Sequence, residues 1–337
     1  MMNTNSSNWI TRYQILLFFL LILAISWTIW IPATIAKLHG ETTIVAPEGL
    51  VGGIARWTPG FVAILLSFLV FGKIGIGKLF QAIKIWRVGL FWYIFALFFQ
   101  ITIFYLGKAV DALVGNLYEV TSPLISVYGS QAVLMAPIVI LFAFPGAFAE
   151  ELGWRGYVLP RLQNNLNALL SSIVVGIFWG AWHIPLLIYF GDLGATDFAG
   201  YLLAVVNFIP VAILYTWIYN NTKGSLLLVT LFHIGQQLSN NLLGTLPTYS
   251  DDILMWIVAV VIIGIEGIGS LSRRLPKQQI ATEQSVPDVW DSSARFASSI
   301  FLASSFSCSQ TESTPAQAPR FANANRGAGT FSQKLLD

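Results

Sequence analysis

Two adjacent glutamates, Glu150 and Glu151, are followed by Arg155 in a strongly apolar part of the chain. Residues four positions apart share a helix face, so Glu151 and Arg155 are predicted to form an ion pair. Glu150 points in another direction and is left without a local partner. A carboxylate held unpaired in an apolar site can act as a general base. The alternative is an interfacial charge pair that only ends the helix.

Two of the three histidines, His183 and His233, also lie in apolar stretches. Trp179 precedes His183 by one helical turn and is expected to fix its imidazole, while Gly180 between them allows another helix to approach closely. Gln237 follows His233 by one turn and shares its helix face. A histidine within a membrane span is usually functional. Either histidine could instead belong to a structural hydrogen-bond network between helices.

Together, a carboxylate, two imidazoles and an amide are enough to activate a water molecule and to stabilise an oxyanion. Two imidazoles and a carboxylate are also a common zinc ligand set, so Glu150, His183 and His233 could hold a divalent metal ion. The chain has no His-Glu-x-x-His helix and no Gly-x-Ser-x-Gly elbow, which disfavours a soluble-type zinc peptidase or a serine hydrolase. The pattern predicts hydrolysis and leaves the metal open.

The elements that position these residues are predicted to be transmembrane helices. Of the 337 residues, 55% are apolar and only 10% are charged. Soluble proteins carry about 25% charged residues, so much of this surface is expected to face lipid. The net charge of +2 is too small and too dispersed to indicate nucleic-acid binding.

A bilayer-spanning helix needs about 20 mostly apolar residues. The pattern predicts an all-α fold, a polytopic transmembrane bundle of about eight helices. The predicted spans are Tyr13–Ala36, Pro59–Phe71 (expected to begin nearer Val51), Leu90–Leu106, Val133–Glu150, Leu169–Phe190, Phe198–Tyr219, Ser225–Leu243 and Ile253–Gly269. The membrane domain is assigned to residues 1–276. Residues 277–337 are rich in Ser, Ala, Gln and Pro, which predicts a disordered cytoplasmic tail.

Basic residues collect in alternate loops, and acidic residues collect in the others. The basic loops carry Lys73, Lys78, Lys84 and Arg87, then Arg155 and Arg161, then Lys223, and finally Arg273, Arg274 and Lys277. Lysine and arginine concentrate on the cytoplasmic side of membrane proteins. Both termini are therefore predicted to be cytoplasmic in a multi-pass plasma-membrane protein, and this arrangement supports an even number of spans.

The depth of the polar residues sets a condition on the fold. Glu150 is predicted at the cytoplasmic end of the fourth span, whereas His183 lies about 20 Å into the fifth at 1.5 Å per residue. For these groups to meet, either the fifth helix begins outside the membrane or the fourth extends past Glu150 and tilts. We expect both, with a cavity open to the cytoplasm. The enzyme hypothesis requires that they lie close together.

At these residues the sequence resembles the CPBP family of CAAX proteases and bacteriocin-processing enzymes, also called the Abi family. Its first motif, Glu-Glu-x-x-x-Arg, is matched by Glu150, Glu151 and Arg155. The resemblance covers about Leu134 to Leu243, and the order and spacing of three motifs make it specific.

The second and third motifs match with one substitution each. His183 matches Phe-x-x-x-His, with the aromatic Trp179 at the Phe position. The surrounding pattern Trp-x-x-Trp-His-x-Pro is associated with bacterial members. His233 matches His-x-x-x-Asn, with Gln237 in place of Asn. Glutamine keeps the amide donor but moves it about one methylene outward, so some loss of precision is expected at that position.

The resemblance implies an intramembrane endopeptidase that cleaves a membrane-associated or peptide substrate near its C-terminus or within a leader peptide. It implies that Glu150 activates the attacking water with help from His183, while His233 and the residue at 237 bind the oxyanion. It leaves open whether a metal such as zinc takes part. The residues implied to support the site are Glu151 and Arg155, together with the aromatic Trp179.

Two other functions fit the same buried residues. One is a non-catalytic protein, such as a bacteriocin self-immunity protein, that binds a peptide without cutting it. The other is a transporter that uses the buried carboxylate as a proton site, although the sequence shows no inverted repeat. The intact set of Glu150, His183 and His233 favours catalysis over both.

Overall fold

The structure is a computed structural model that describes residues 6–47, 49–191 and 198–273. Regular secondary structure in these residues is entirely helical. The all-α prediction is therefore confirmed for the described part of the chain. The predicted tail, residues 277–337, lies outside it.

In the described residues, eight long helices form the bundle, and three short helices connect them. The long helices are α1 (Ser6–Leu38), α3 (Thr58–Gln81), α4 (Leu90–Leu113), α6 (Ala132–Glu151), α8 (Ala168–Phe190), α9 (Phe198–Asn221), α10 (Leu226–Leu243) and α11 (Ser250–Glu266). The short helices are α2 (Leu50–Ile54), α5 (Pro123–Tyr128) and α7 (Leu159–Gln163). Single 3₁₀ turns cover Ala55–Trp57, Ala82–Lys84 and Gly129–Gln131, and a π-helical segment covers Leu152–Val158.

Each of the eight predicted spans coincides with one of the long helices. By length and composition, six helical stretches in the described residues can cross a membrane: Trp9–Leu38, Val51–Lys84, Leu90–Leu113, Leu134–Gln163, Ala168–Phe190 and Phe198–Asn221. The other two predicted spans are α10, whose 18 residues include a histidine, two glutamines and two asparagines, and α11, which has 17 residues. The chain is a multi-pass membrane protein.

Large apolar side chains point outward where a soluble protein would place charges. On α4, Phe91, Ile94, Phe98 and Tyr105 are each more than half exposed. An exposed apolar surface of this kind would be unfavourable in water but is suited to lipid. The outward faces of the helices thus match the low charge content of the sequence.

Hydrogen bonds join the helix ends at one end of the bundle, here called the basic end because the predicted basic loops lie there. Gln14 on α1 accepts hydrogen bonds from Tyr157 and from Arg161 Nε, at 3.0 and 2.9 Å. The amide of Ala168, at the start of α8, donates to Gly269 O at 2.9 Å. The beginning of α1 and the end of α11 therefore lie at the same end.

The opposite end is joined by a second set of contacts. Thr34 on α1 donates to Pro185 O on α8 at 2.9 Å. Thr248, just before α11, donates to Asp111 near the end of α4 at 2.7 Å, and Tyr118 also bonds to this carboxylate. The helices α1, α4 and α8 thus run away from the basic end and α11 runs back toward it, as expected for the first, third, fifth and eighth of eight passes.

The fourth predicted helix continues past the glutamates. The chain remains helical from α6 through the π-helical segment Leu152–Val158 to the end of α7 at Gln163. The prediction that Glu150 lies at a helix end is therefore wrong, whereas the condition that this helix continues past Glu150 is met. Arg155 is the one charged residue of the π segment and is buried with most of it, so the charged motif does not mark a helix boundary.

Close packing of α8 against α9 holds the second motif in place. A Cβ atom added to Gly180 would lie 2.9 Å from the Cα and the carbonyl oxygen of Val205. One added to Gly176, one turn earlier, would lie 2.8 Å from Ile209 Cα. The prediction that a small residue at 180 lets another helix approach is confirmed.

Candidate active site

Glu151 joins the first and third motifs. Its Oε1 accepts from Arg155 Nη1 at 3.0 Å and from His233 Nδ1 at 2.9 Å. Glu151 is fully buried and Arg155 almost fully. The predicted ion pair between Glu151 and Arg155 is confirmed, and the structure adds His233 to it. The carboxylate thus holds α10 against the junction of α6 and the π segment.

Aromatic rings enclose the arginine of this group. The Arg155 guanidinium lies over the rings of Trp179 and Tyr215, with Cζ at 4.3 and 3.7 Å from the ring centroids. Such cation–π contacts stabilise a desolvated cation. The Tyr215 hydroxyl donates to Gln236 Oε1 at 2.6 Å, which extends the group along α10. Arg155 is therefore held by one ion pair through Nη1 and by two rings, while its buried Nη2 has no hydrogen-bond partner among the described residues.

Glu150 has different surroundings. Its side chain is buried, and Oε2 accepts from Trp179 Nε1 at 3.2 Å. Among the described residues no cation forms an ion pair with it. The prediction that Glu150 has no partner on its own helix holds, and the tryptophan at the second motif supplies its hydrogen bond instead. Trp179 thus orients the Glu150 carboxylate, and no described cation neutralises it.

His183 is fixed mainly by the backbone and by stacking. Its Nδ1 lies 2.9 Å from Trp179 O, and a carbonyl only accepts, so Nδ1 carries the proton and Nε2 is left with its lone pair. Phe208 stacks on the imidazole with centroids 4.9 Å apart, and Trp182 meets it edge-on at 4.6 Å. The expected fixing role of the Trp179 ring belongs chiefly to Phe208, because the Trp179 ring lies 5.8 Å away, at an edge-to-face angle.

Trp179 is the residue that brings the three predicted groups together. It donates to Glu150, and its ring centroid lies 5.8 Å from that of His183 and 6.2 Å from that of His233. Glu150 also interacts electrostatically with His233. The condition set by the sequence, that residues from three helices meet at one depth, is satisfied.

The amide predicted beside His233 is the least engaged of the site residues. Gln237 is half-buried, and its side chain makes no hydrogen bond to a described residue, although Asn241 donates to its backbone carbonyl at 2.8 Å. Its neighbour Gln236, rather than Gln237, is bound into the aromatic and ionic group through Tyr215.

The predicted metal set, Glu150, His183 and His233, is not grouped as a ligand set in the described residues. Within the described residues there is no group of three or more His, Cys, Asp or Glu side chains placed to hold a metal ion. His233 spends Nδ1 on Glu151, His183 spends Nδ1 on a carbonyl, and Glu150 binds an indole. These contacts fix both imidazole rings and leave Nε2 of each available for proton transfer, hydrogen bonding or ligation.

Sequence reasoning missed three residues of the site. Tyr215 and Phe208 lie on α9, which carries no motif, and their roles follow only from the packing of α9 on α8. Arg56, in the 3₁₀ turn before α3, interacts electrostatically with both Glu150 and His183. A lone arginine at the start of an apolar run was the available signal for Arg56, and it resembles an ordinary interfacial anchor.

Comparison with known proteins supports the motif assignment. Residues 132–239 match the Rce1-like family, described as type II CAAX prenyl endopeptidase Rce1-like. The chain is also similar to CAAX prenyl protease 2 of Methanococcus maripaludis, at 33% identity over 111 residues. That alignment covers 32% of this chain and 41% of the relative, so the chain matches about two fifths of the relative's length. The resemblance to the CPBP family is confirmed for this segment, which contains every predicted site residue.

Proposed function

We propose that this membrane protein, whose residues 132–239 match the Rce1-like family, is an intramembrane endopeptidase that uses Glu150 to activate water. The observation that carries the proposal is the contrast between the two adjacent glutamates. Glu151 is neutralised by Arg155 and His233, whereas Glu150 is buried, oriented by Trp179 and in no ion pair with a described residue. A buried carboxylate in this state is suited to accept a proton.

In the proposed first step, a water molecule between Glu150 and His183 attacks the carbonyl carbon of the substrate. Glu150 takes one proton from the water as the new C–O bond forms. His183, with Nδ1–H bound to Trp179 O, offers the Nε2 lone pair as a second acceptor that orients the water. Two acceptors from two helices place the oxygen lone pair toward the substrate.

The oxyanion formed in this step would face His233. Since Nδ1–H is directed at Glu151, the ring presents Nε2 to the active site. The carboxylate of Glu151 stabilises a positive charge on the imidazole, so His233 would donate from Nε2 to the oxyanion. The side-chain amide of Gln237, free of hydrogen bonds to described residues, is the second proposed donor.

In the second step, the tetrahedral intermediate collapses and the peptide C–N bond breaks. The proton held by Glu150 passes to the leaving nitrogen, which departs as an amine. The second proton of the water stays on the new carboxyl group, which ionises to the carboxylate when the product reaches solvent. Glu150 thereby serves as base and then as acid, and the site returns to its starting state. The proton that reaches the leaving nitrogen is thus carried by Glu150.

We propose a membrane-associated substrate that is cut near its C-terminus. The support is the match to a family described as a CAAX prenyl endopeptidase, together with the position of the site inside a bundle that faces lipid. A lipid-modified peptide could approach such a site from the bilayer. We also propose that the membrane domain extends over residues 1–276 in a plasma membrane, with both termini cytoplasmic.

The proposal is tested with the purified full chain in lipid nanodiscs and a library of lipidated and leader-type peptides. Products of the unsubstituted chain, of Glu150→Gln and of Glu119→Gln are compared by mass spectrometry, with and without a chelator. Glu119 is an exposed acid in the loop after α4 and serves as the matched control. We expect cleavage by the unsubstituted chain and by Glu119→Gln, none by Glu150→Gln, and no effect of the chelator.

Other outcomes would support different functions. Peptide binding without cleavage by the folded chain, unchanged in Glu150→Gln, would indicate the immunity or peptide-binding protein. Peptide-driven proton uptake into vesicles that is lost in Glu150→Gln would indicate the transporter. Cleavage that the chelator abolishes would contradict the metal-free scheme.

A further inference from the structure

Arg56 is a cation beside the proposed site that forms no ion pair with a described residue. It lies in the 3₁₀ turn Ala55–Trp57, between α2 and α3. Its Nε is buried and has no hydrogen-bond partner. None of its guanidinium nitrogens forms an ion pair or a hydrogen bond with a described residue.

The turn that carries Arg56 is held firmly against the catalytic helices. Ser26 on α1 donates to Ala55 O at 3.1 Å and accepts from Trp182 Nε1 at 2.9 Å, which links the turn to the residue before His183. On its other side, a Cβ on Gly60 would lie 2.8 Å from Ala149 O, next to Glu150. Arg56 is therefore placed between the second motif and the first.

The two arginines near the site differ in what they bind. The guanidinium of Arg155 is used by Glu151 and by two aromatic rings. Arg56 interacts electrostatically with Glu150 and His183 at a distance, yet it pairs with neither. The positive charge of Arg56 therefore acts on Glu150 and His183, while its N–H donors form no hydrogen bond with a described residue.

A partly buried guanidinium without a partner is unfavourable, because desolvation is not offset by an ion pair. Such a guanidinium is expected where an anion of a ligand pairs with it. Guanidinium binds a carboxylate through two parallel hydrogen bonds. Glu150 cannot be that anion without losing its function as a base. In a peptide cut near its end, the anion next to the scissile bond is the terminal carboxylate.

We propose that Arg56 binds the free α-carboxylate of the substrate and so measures the cleavage position from the C-terminus. This inference rests on the proposed peptidase function. It predicts a substrate whose short C-terminal segment lies between Glu150 and Arg56, with each extended residue spanning about 3.3–3.6 Å. It also predicts that a peptide whose terminus is a carboxamide is a poor ligand.

The test measures binding rather than turnover. Two fluorescein-labelled S-prenylated peptides, identical except for a free acid or a carboxamide at the C-terminus, are titrated by anisotropy onto the full chain in nanodiscs. Glu150→Gln is used as the background so that the acid peptide is not consumed. In that background, Arg56 is left intact or replaced by Gln or Lys, and Arg87→Gln serves as an exposed-arginine control.

We expect the acid to bind about tenfold or more tightly than the amide, as one charge-assisted hydrogen-bonded pair allows. Arg56→Gln should lower the affinity for the acid to that for the amide. Arg56→Lys should keep part of the preference for the acid peptide, since lysine keeps the charge but loses the two parallel donors of the guanidinium. Arg87→Gln should keep all of it, and thermal unfolding should show that each variant is folded.

Equal affinity for acid and amide, or no binding of either peptide, would overturn the assignment. So would equal losses for both peptides in folded Arg56→Gln, which would mean a general electrostatic effect on the site. Parallel cleavage assays separate the two proposals. An acid preference without cleavage refutes the peptidase and leaves the carboxylate site, whereas cleavage without an acid preference refutes only the carboxylate site.

Discussion

At the scale of single residues, the site depends on giving two adjacent glutamates opposite surroundings. Glu151 lies in an ion group with Arg155 and His233, and Glu150 lies against an indole. Consecutive residues on a helix point about 100° apart, and this separation gives one carboxylate an ion pair and leaves the other, the proposed base, without one.

Replacing each glutamate by glutamine should separate these roles by stability. Glu151→Gln keeps the size of the side chain but leaves the buried Arg155 charge uncompensated, so we expect a loss of about 3 kcal/mol in the free energy of unfolding. Glu150→Gln keeps an acceptor for Trp179 and should cost about 1 kcal/mol or less. Denaturant unfolding in detergent micelles compares the two, and equal losses would contradict the division of roles.

The indole of Trp179 is predicted to matter through its N–H group. Trp179→Phe keeps an aromatic ring at this position but removes the donor to Glu150, so the carboxylate loses its orienting contact. We expect kcat to fall about tenfold, the value of one hydrogen bond to a charged group, with little change in KM. Unchanged kcat in folded Trp179→Phe would show that the contact is incidental.

Much of the residue-scale picture could be predicted from the sequence, for a physical reason. The Glu151–Arg155 pair is local, so helical periodicity alone predicts it. The His233–Glu151 hydrogen bond joins residues 82 positions apart, and the resemblance only implied that both belong to one site. Arg56 was not identified because its partner is proposed to be the substrate, and no residue of the chain reveals it.

At the scale of elements, the π-helical segment Leu152–Val158 is the main departure from expectation. π-Helical turns are rare in proteins, and those that occur often lie at functional sites. Here the segment begins directly after Glu151, and its Arg155 donates a hydrogen bond to the Glu151 carboxylate. Hydropathy predicts spans from bulk polarity, so the predicted fourth span ends at the charged motif, although Glu151 and Arg155 are paired inside the bundle.

Close contact between this segment and α3 gives a prediction about glycine. A Cβ on Gly153 would lie 2.5 Å from Pro59 Cβ and 2.7 Å from its carbonyl carbon. Gly153→Ala should therefore lower the free energy of unfolding by about 1–3 kcal/mol, as overpacking does. Gly77→Ala on α3, where nothing lies within 4 Å, should be neutral or stabilising by up to about 1 kcal/mol.

Thermal or denaturant unfolding of both alanine variants in the same detergent provides the comparison. If Gly153→Ala is as stable as Gly77→Ala, the close approach of α3 to the glutamate segment is not as described.

At the scale of the whole molecule, the alternation of basic and acidic loops agrees with the packing of the described helices. The start of α1 and the end of α11 meet at the basic end, and the Asp111 contacts lie at the other. The composition predicted a bundle of this kind, because the charges are too few for a water-exposed surface. Which end faces the cytoplasm is proposed from the charge bias.

Single-cysteine labelling tests that orientation. In a Cys308→Ser background, cysteines are placed at exposed Lys78, at the basic end, and at exposed Asn116, at the other. A membrane-impermeant maleimide should label position 116 in intact cells, and position 78 only after lysis. The reverse pattern would place the termini outside the cytoplasm.

The central claim is that Glu150 is the base that activates water, and the most direct test is the single-turnover rate of a cleaved peptide under saturating enzyme. The unsubstituted chain, Glu150→Gln and Glu119→Gln are compared, with peptide affinity measured alongside. Loss of a general base predicts a rate lower by about 10²–10⁴-fold in Glu150→Gln, with unchanged peptide affinity and an unchanged rate in Glu119→Gln. A Glu150→Gln variant that cleaves within a few-fold of the unsubstituted rate would contradict the account.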